Sequence, residues 1–164
     1  MEMYGRLFDR LDATDQALIG ALRAEPRASI TNLARVTGLA RGTVQSRLDR
    51  LVSRGVVRGF GPDLDPTGAG APVMAFTTLS IAQGSHDELL EQLSSLEEVL
   101  DVHVITGSGD LLCRVAAASN DHLHEVLQQV VRMPGVTRAD SQLALSTPVS
   151  RTLADQLLAR QRRR

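Results

Sequence analysis

Apolar residues recur at helical spacing in three short stretches near the start of the chain. The third stretch is the longest, and its apolar residues share one face because their spacing matches the period of a helix. These residues are Val44, Leu48, Leu51 and Val52. Gly38 and Gly55 stand where the second and third helices must end, since glycine adopts the left-handed conformation at little cost. Residues 56–60 then alternate as in a short strand, so the order predicts a winged helix-turn-helix.

The helix starts and the first helix end carry their own signals. Asp12 can accept a hydrogen bond from the amide of Asp15, three residues further on, and so begin the first helix. Pro26 ends that helix, because a helix interior rejects proline. Ser29 can cap the second helix in the same way as Asp12 caps the first.

After residue 72 the spacing changes from helical to mainly alternating. The predicted strands are residues 72–81, 100–106, 111–117 and 136–147, and the predicted helices follow Ser85 and either Ser119 or Asn120. The order β-α-β-β-α-β, with both helices crossing one face of the sheet, predicts a ferredoxin-like α+β domain. The fold class is therefore α+β, with a winged helix-turn-helix first and a ferredoxin-like domain second.

Residues 62–72 separate the two halves and contain three Pro and two Gly, a composition typical of a linker. The predicted domains are residues 1–61 for the helix-turn-helix and residues 73–150 for the α+β domain. Residues 151–164 form a short amphipathic helix and a basic tail. Residues 1–60 carry ten Arg against six acidic residues, whereas residues 61–150 carry three Arg against twelve. This asymmetry indicates two separate functional units, of which the basic one suits DNA.

The chain resembles the Lrp/AsnC (feast/famine) family of transcription regulators over about residues 10–150. The matching positions in the first half are Leu11-Asp12-x-x-Asp15, Arg27-x-Ser29, Leu33-Ala34, Gly38-Leu39, Thr43-Val44, Arg47-x-x-x-Leu51, Gly55-Val56-Val57 and Leu64-Asp65-Pro66. Those in the second half are Val104-x-Thr106-Gly107-x-x-Asp110 and Ser146-Thr147. The resemblance implies a homodimer paired through its sheets, often an octamer of four dimers, that binds double-stranded DNA.

The outer side of the third helix and the segment after it carry the residues that we expect to contact DNA. They are Arg41, Thr43, Gln45, Ser46, Arg47, Arg50, Arg54 and Arg58. Arg and Gln can form paired hydrogen bonds with guanine and adenine edges, whereas Ser and Thr mainly bind phosphates. An ordinary solvated helix surface would carry the same residue types.

The resemblance also implies a small effector, commonly an amino acid, bound near the Gly-x-x-Asp hairpin and the last strand. The expected effector residues are Thr106, Gly107, Ser108, Gly109, Asp110 and Thr147. Asp110 could pair with the ammonium group, and the hairpin amides could bind the carboxylate. A plain Gly-Ser-Gly-Asp turn, which needs no ligand, would explain the same residues.

Two positions depart from the family pattern. Ala40 stands where the family usually has a serine at the start of the recognition helix, and losing that cap should cost about 1 kcal/mol of helix stability. The hairpin also lacks the aromatic residue often found beside its aspartate, so its effector pocket should have a different shape.

Other functional classes find less support in the sequence. No catalytic residues, cofactor motif or metal site are expected, because His122 and His124 point in different directions on a helix and Cys113 is the single cysteine. The sequence has no membrane span or signal peptide, so we expect a cytoplasmic protein. Two alternatives remain: a sirohaem-decarboxylase-like enzyme on the same body, and an architectural protein that organises DNA.

Overall fold

The computed structural model describes residues 11–161 as two compact units. One unit contains the residues up to Pro62 together with those from Val149 onwards, and the other contains Asp63–Pro148. The sequence-predicted boundary near residue 62 lies close to this division. Residues 151–161, in contrast, belong to the first unit, and residues 162–164 of the basic tail lie outside the described part.

Three helices form the body of the first unit: α1 (Ala13–Ala24), α2 (Ile30–Thr37) and α3 (Arg41–Ser53). The amide of Asp15 donates to Asp12 Oδ1 over 2.7 Å, and the amide of Asn32 donates to Ser29 Oγ over 3.2 Å. Both predicted caps are therefore confirmed. The aliphatic core of this unit consists of Leu18, Leu33, Ala34, Val44, Leu48 and Leu51. Val52, predicted on the same apolar face, is 45% exposed.

The short strand predicted over residues 56–60 is wrong. Gly55 takes φ +68°, its amide donates to Val52 O, and the amides of Val56 and Val57 both donate to Leu51 O. These bonds close α3 with a Schellman motif and fold the next residues back over the helix end. Pro62 and Pro66 follow and lack the amide donors that would continue a strand ladder.

The second unit has the predicted order β1 (Val73–Ile81), α4 (His86–Ser94), β2 (Val99–Val104), β3 (Leu111–Ala117), α5 (Asn120–Val131) and β4 (Val136–Ala144). All neighbouring strands are antiparallel, and the sheet order is β2-β3-β1-β4. The ferredoxin-like α+β fold is thus confirmed. Ser119 caps α5 through the amide of His122, whereas Ser85 precedes α4 without a side-chain cap.

The helices α4 and α5 cover one face of the sheet. Because side chains alternate along a strand, Ala75 and Leu79 of β1 point towards these helices, whereas Phe76 points to the opposite face. The core between the sheet and the helices includes Leu89, Leu93, Leu111, Cys113, Val115, Leu123, Val126 and Val130. The opposite face of the sheet has no helix over it within the described part of this unit.

The fourth strand is shorter than predicted, since it ends at Ala144 rather than at Thr147. Its last paired residue, Ala144, lies opposite Met74. The only residue of β1 beyond Met74 is Val73, which follows Pro72, and proline has no amide to continue a ladder. The pairing partner of β4 therefore runs out at this point.

Residues 65–71, predicted as part of a linker, form an ordered turn. Asp65 Oδ2 accepts the amide of Gly68 over 2.7 Å, and the amides of Ala69 and Ala71 donate to Asp65 O and Pro66 O. No helix among residues 11–161 is long and apolar enough to cross a membrane.

The last helix, α6 (Leu153–Gln161), packs on α1 within the first unit. Leu157 is 1% exposed, and Arg23 Nε lies 2.9 Å from Asp155 Oδ1. The Arg23 guanidinium, with help from the amide and hydroxyl of Thr152, holds the pKa of the Asp155 carboxyl well below its usual range. The first unit is thus completed by residues that follow the ferredoxin-like domain in sequence.

The packing of α6 predicts a stability effect. Leu157→Ala should lower the free energy of unfolding of the first unit by about 2–5 kcal/mol, because it leaves a cavity against α1. Leu153→Ala, on the same helix but with a side chain that is 63% exposed, is the matched control and should change it by less than about 0.5 kcal/mol. Urea denaturation followed by circular dichroism measures both, and equal effects would show that α6 does not stabilise the unit.

Candidate functional site

The outer side of α3 presents most of the residues expected to contact DNA. Its buried side, formed by Val44, Leu48 and Leu51, fixes the helix against the core of the unit. Four of the expected DNA contacts are exposed in the first half of the helix: Arg41, Thr43, Gln45 and Ser46. Gln45 Nε2 donates to Asp49 Oδ1 over 2.9 Å, and Arg41 has no ion-pair partner within residues 11–161.

The start of α3 has no side-chain cap, as the sequence predicts. Ala40 occupies the N-cap position with φ −67° and ψ 145° and makes no side-chain hydrogen bond. The first amides of a helix have no partner within the helix. Those of α3 therefore remain available to an anion beside the exposed Arg41.

Arg47 and Arg50, also expected to contact DNA, already have partners on α1. Arg47 Nη1 lies 2.5 Å from Asp12 Oδ2 and 2.7 Å from Asp15 Oδ1. Arg50 Nη2 lies 3.0 Å from Asp15 Oδ1 and 3.2 Å from Asp15 Oδ2. The side chain of Asp15 is only 2% exposed, so this ion-pair cluster joins α1 to α3.

The ion-pair cluster favours the charged forms of Asp12 and Arg47. The Arg47 guanidinium, followed by the amide of Asp15, lowers the pKa of the Asp12 carboxyl. Hydrogen bonds from Arg47 to Asp12 and then to Asp15 raise the pKa of Arg47. The pairing of Arg47 with Asp12 therefore persists throughout the physiological pH range.

The remaining two expected contacts, Arg54 and Arg58, follow the end of α3. Both are exposed, but they lie on the turn and irregular segment that replace the expected strand. They provide positive charge beyond the helix end, at positions not fixed by a β-ribbon.

The hairpin that joins β2 to β3 holds five of the six expected effector residues, and Asp110 fastens it to β1. The amide of Asp110 donates to Leu79 O over 2.8 Å, and Asp110 Oδ2 accepts the amide of Ile81 over 2.8 Å. Asp110 O also accepts the amide of Ile105 over 2.9 Å. One carboxylate oxygen expected to bind an effector ammonium is therefore occupied by the end of β1.

Gly109 is required by the close approach of the hairpin to β1. A Cβ atom at this position would lie 2.4 Å from Thr78 Cγ2 and 3.0 Å from Leu79 O. Thr106, Gly107 and Ser108 lie on the exposed side of the same hairpin.

Thr147 is not placed beside this hairpin by the sheet. It follows the end of β4 that pairs with Met74, whereas the hairpin contacts Leu79 and Ile81 at the other end of β1. From Met74 to Leu79 the strand spans five residue steps, or about 17 Å. Within one chain, Thr147 therefore lies towards the opposite end of the sheet from the other expected effector residues.

A small concavity adjoins the hairpin on the face of the sheet opposite the helices. Its volume is about 80 Å³, and its lining comprises Thr78, Ser80, Ser108, Arg138, Asp140 and Gln142. Arg138 Nη2 and Asp140 Oδ2 lie 3.8 Å apart at its edge. The concavity thus offers one cation, one anion and several hydroxyl groups within a short distance.

The sequence pattern alone did not predict a functional site at Asp15, Arg138 or Asp140. The alternation of polar residues along β4 signals that Arg138 and Asp140 share a face, but not that they meet the hairpin. The position of Asp15 one turn into α1 resembles an ordinary capping partner, and only the fold brings it to α3.

The histidines and the cysteine considered as metal ligands lie in other settings. His122 Nε2 lies 2.9 Å from Glu98 Oε1, and burial raises the pKa of the Cys113 thiol to about 11. Within residues 11–161, no group of three or more His, Cys, Asp or Glu side chains is placed to hold a metal ion.

A helix-turn-helix unit followed by a ferredoxin-like domain is typical of a class of two-domain DNA-binding regulators. A family profile for winged helix-turn-helix DNA-binding domains matches residues 11–58, and one for the Lrp/AsnC ligand binding domain matches residues 74–154. The HTH-type transcriptional regulator LrpA of Mycobacterium tuberculosis is 33% identical over 140 residues, which are 85% of this chain and 93% of LrpA. The chain belongs to the Lrp/AsnC family and is a DNA-binding transcriptional regulator.

Solved structures agree with this assignment. AsnC of E. coli has the same fold, with a TM-score of 0.81 at 24% identity over 88% of this chain and 98% of AsnC. The feast or famine regulatory protein of M. tuberculosis, solved in complex with L-methionine, has a TM-score of 0.76 at 33% identity. That similarity covers 85% of this chain and 95% of the relative.

The tight contact at Gly109 predicts the effect of adding one methyl group. Gly109→Ala should lower the free energy of unfolding of the second unit by about 1–3 kcal/mol, because the new Cβ would overlap Thr78 and the backbone of Leu79. Ser108→Ala, at the exposed neighbouring position, is the control and should leave it within about 0.5 kcal/mol. Thermal unfolding compares the two variants. An unchanged free energy of unfolding in Gly109→Ala would mean that the hairpin does not contact β1 closely at this position.

Proposed function

We propose that this protein is a sequence-specific regulator whose assembly or DNA affinity is changed by an amino-acid effector. The observation that carries the DNA part is the start of α3. There the uncapped amides lie together with exposed Thr43 and with Arg41, which has no ion-pair partner among residues 11–161. A helix held by its buried face, with polar residues and free amides at its outer N-terminal end, suits insertion into a major groove.

The proposed contacts are of two kinds, those to base edges and those to the phosphate backbone. Arg41 and Gln45 can each form paired hydrogen bonds with base edges, whereas Thr43 and Ser46 are suited to phosphates. Arg54 and Arg58 are proposed to contact the DNA backbone beyond the helix. Arg47 and Arg50 can reach DNA only by leaving the carboxylates of Asp12 and Asp15, so their contacts are the least favoured among the expected ones.

A second copy of the chain is the proposed partner of the sheet face without helices. This face contains Phe76, which is 39% exposed, together with Met74, Ala116 and Ala144. Pairing two such faces would bury apolar area and give the two-fold symmetry that places two α3 helices on a palindromic site. The proposed assembly is a homodimer, and four such dimers could form an octamer.

The concavity beside the hairpin is the proposed binding place for the polar end of an amino acid. Arg138 is suited to the carboxylate and Asp140 to the ammonium group, and both are charged partners of the kind that bind zwitterions strongly. At about 80 Å³ the concavity is smaller than the roughly 300–1,000 Å³ of typical ligand pockets. Another copy would therefore have to supply the remaining walls, and Thr147 is a residue it could contribute.

The similarity to a relative solved with L-methionine supports an amino acid as the class of effector. The occupied oxygen of Asp110 argues against the simplest expectation, in which that aspartate alone binds the ammonium group. We therefore assign Asp110 mainly to holding the hairpin that forms one wall of the concavity.

Arg41→Gln tests the proposed DNA surface. A duplex selected by the wild-type protein from a random pool should bind the variant about 10- to 100-fold more weakly, because a contact to guanine or phosphate is lost. Arg132→Gln makes the same change of charge in the other unit and should leave the affinity unchanged. Gel-shift titration measures both proteins, and equal affinities would contradict a role for Arg41.

Footprinting across a genome would separate a regulator of few sites from an architectural protein bound at many.

Arg138→Gln tests the proposed effector site. Calorimetric titration of the wild-type protein with the twenty amino acids should identify at least one that binds, and the variant should bind it about 10- to 100-fold more weakly through loss of charge-assisted hydrogen bonds. Arg132→Gln again serves as the control. An unchanged affinity in Arg138→Gln, combined with complete loss in Asp110→Asn, would place the effector at Asp110 instead.

A further inference from the structure

The side chain of Asp15 is a buried carboxylate at the boundary between α1 and α3. It is 2% exposed, and it contacts Arg47 at 2.7 Å and Arg50 at 3.0 Å. A buried carboxylate is costly unless it is paired and hydrogen-bonded, because it has lost its hydration. Both arginines therefore supply the positive charge that this buried carboxylate needs.

The ion-pair cluster is electrically balanced. It contains two carboxylates, Asp12 and Asp15, and two guanidinium groups, Arg47 and Arg50. The Arg47 side chain is 24% exposed, while that of Arg50 is 47% exposed and could reach outwards if it were released. As long as the cluster is intact, these two residues of α3 offer DNA no net charge.

The balanced charge of the ion-pair cluster affects how well the protein distinguishes its specific sites from other DNA. Non-specific binding arises essentially from phosphate contacts by cations, whereas specific binding needs contacts to base edges. Pairing Arg47 and Arg50 within the protein therefore reduces the affinity for any DNA. It leaves Arg41, Thr43 and Gln45 to provide the contacts that depend on position or sequence.

We infer that Asp15 is a positioning residue for DNA recognition, which holds α3 on α1 and keeps Arg47 and Arg50 away from the phosphates. The inference rests on the proposed contact of α3 with DNA. It assigns Asp15 a role in specificity without any contact to the nucleic acid. Specificity is a difference between two affinities, and withholding cations lowers the non-specific one.

Asp15→Asn provides the first test. Asparagine keeps the shape and one hydrogen-bond acceptor but removes the charge. Arg50 then loses its close ionic partner and retains only Asp12 Oδ2 at 4.0 Å, while Arg47 keeps Asp12 at 2.5 Å. Log Kobs for an unrelated duplex, plotted against log of salt concentration, should become steeper by about 0.9 for each subunit that contacts the DNA, the value of one added phosphate contact. The ratio of affinities for the selected and the unrelated duplex should fall several-fold.

Glu25→Gln is the control for charge alone. Glu25 stands at the C-terminal end of α1 and contacts Asn32 rather than an arginine. The change in net charge equals that of Asp15→Asn, yet it releases no arginine, so the salt dependence should stay as in the wild type. Circular dichroism and thermal unfolding show whether each variant is folded before its DNA binding is compared.

Arg50→Gln keeps the test decisive even where Asp15→Asn fails to fold. When Arg50 is withheld from phosphates, its replacement leaves the salt dependence on unrelated DNA unchanged. A slope that becomes shallower by about 0.9 for each subunit that contacts the DNA would show that Arg50 contacts a phosphate and would overturn the inference. A purely structural Asp15 could change the affinity ratio, but it would not steepen the slope.

The same experiment separates this inference from the proposed function. A shallower slope in Arg41→Gln, together with an unchanged slope in Asp15→Asn, overturns the role of Asp15 and leaves the DNA surface of α3 standing. A wild-type protein that does not distinguish the selected from the unrelated duplex overturns both. A steeper slope in Asp15→Asn with an unchanged slope in Arg50→Gln supports the withholding of both arginines.

Discussion

The carboxylate of Asp15 connects α1 to α3, the helix proposed to contact DNA. Burial makes its charge costly, and the two arginines of α3 compensate for that charge. Removal of either side of this arrangement leaves the other unpaired, which is more harmful than replacing the whole cluster by apolar residues. The orientation of α3 about its own axis therefore depends on the pairing as well as on the apolar contacts of Leu48 and Leu51.

The second unit depends in a similar way on β1, which pairs with both β3 and β4. The hairpin is bonded to the C-terminal end of β1 through Asp110. Before the N-terminal end of β1, Pro72 has no amide donor, so the pairing with β4 stops there. These two local constraints set which residues meet. They bring Arg138 and Asp140 to the hairpin and leave Thr147 towards the opposite end of the sheet.

Local signals in the sequence predicted most of the elements, because caps, glycine positions and hydrophobic periods act within a few residues. Asp12, Ser29 and Ser119 cap the helices they were expected to begin, and the ferredoxin-like order followed from the change of period. The incorrect or missing predictions fall where contacts with residues distant in sequence determine the structure. The strand after Gly55 had no partner, and the amides that would have paired it bond to Leu51 instead. The spacing of residues along the chain does not indicate the ion pairs of Asp15, because their partners lie more than thirty positions away.

The uncapped start of α3 becomes understandable from the distribution of contacts along this helix. Its later half is fixed by Leu48, Leu51 and the pairs of Arg47 and Arg50 with α1, and a Schellman motif closes its end. Tertiary packing supplies most of the stability of a short helix, so a missing cap worth about 1 kcal/mol can be tolerated. A serine at Ala40 would occupy one of the first amides with its own hydroxyl. Alanine leaves that amide free, and under the proposed contact with DNA a phosphate would stabilise the first turn most in the bound state.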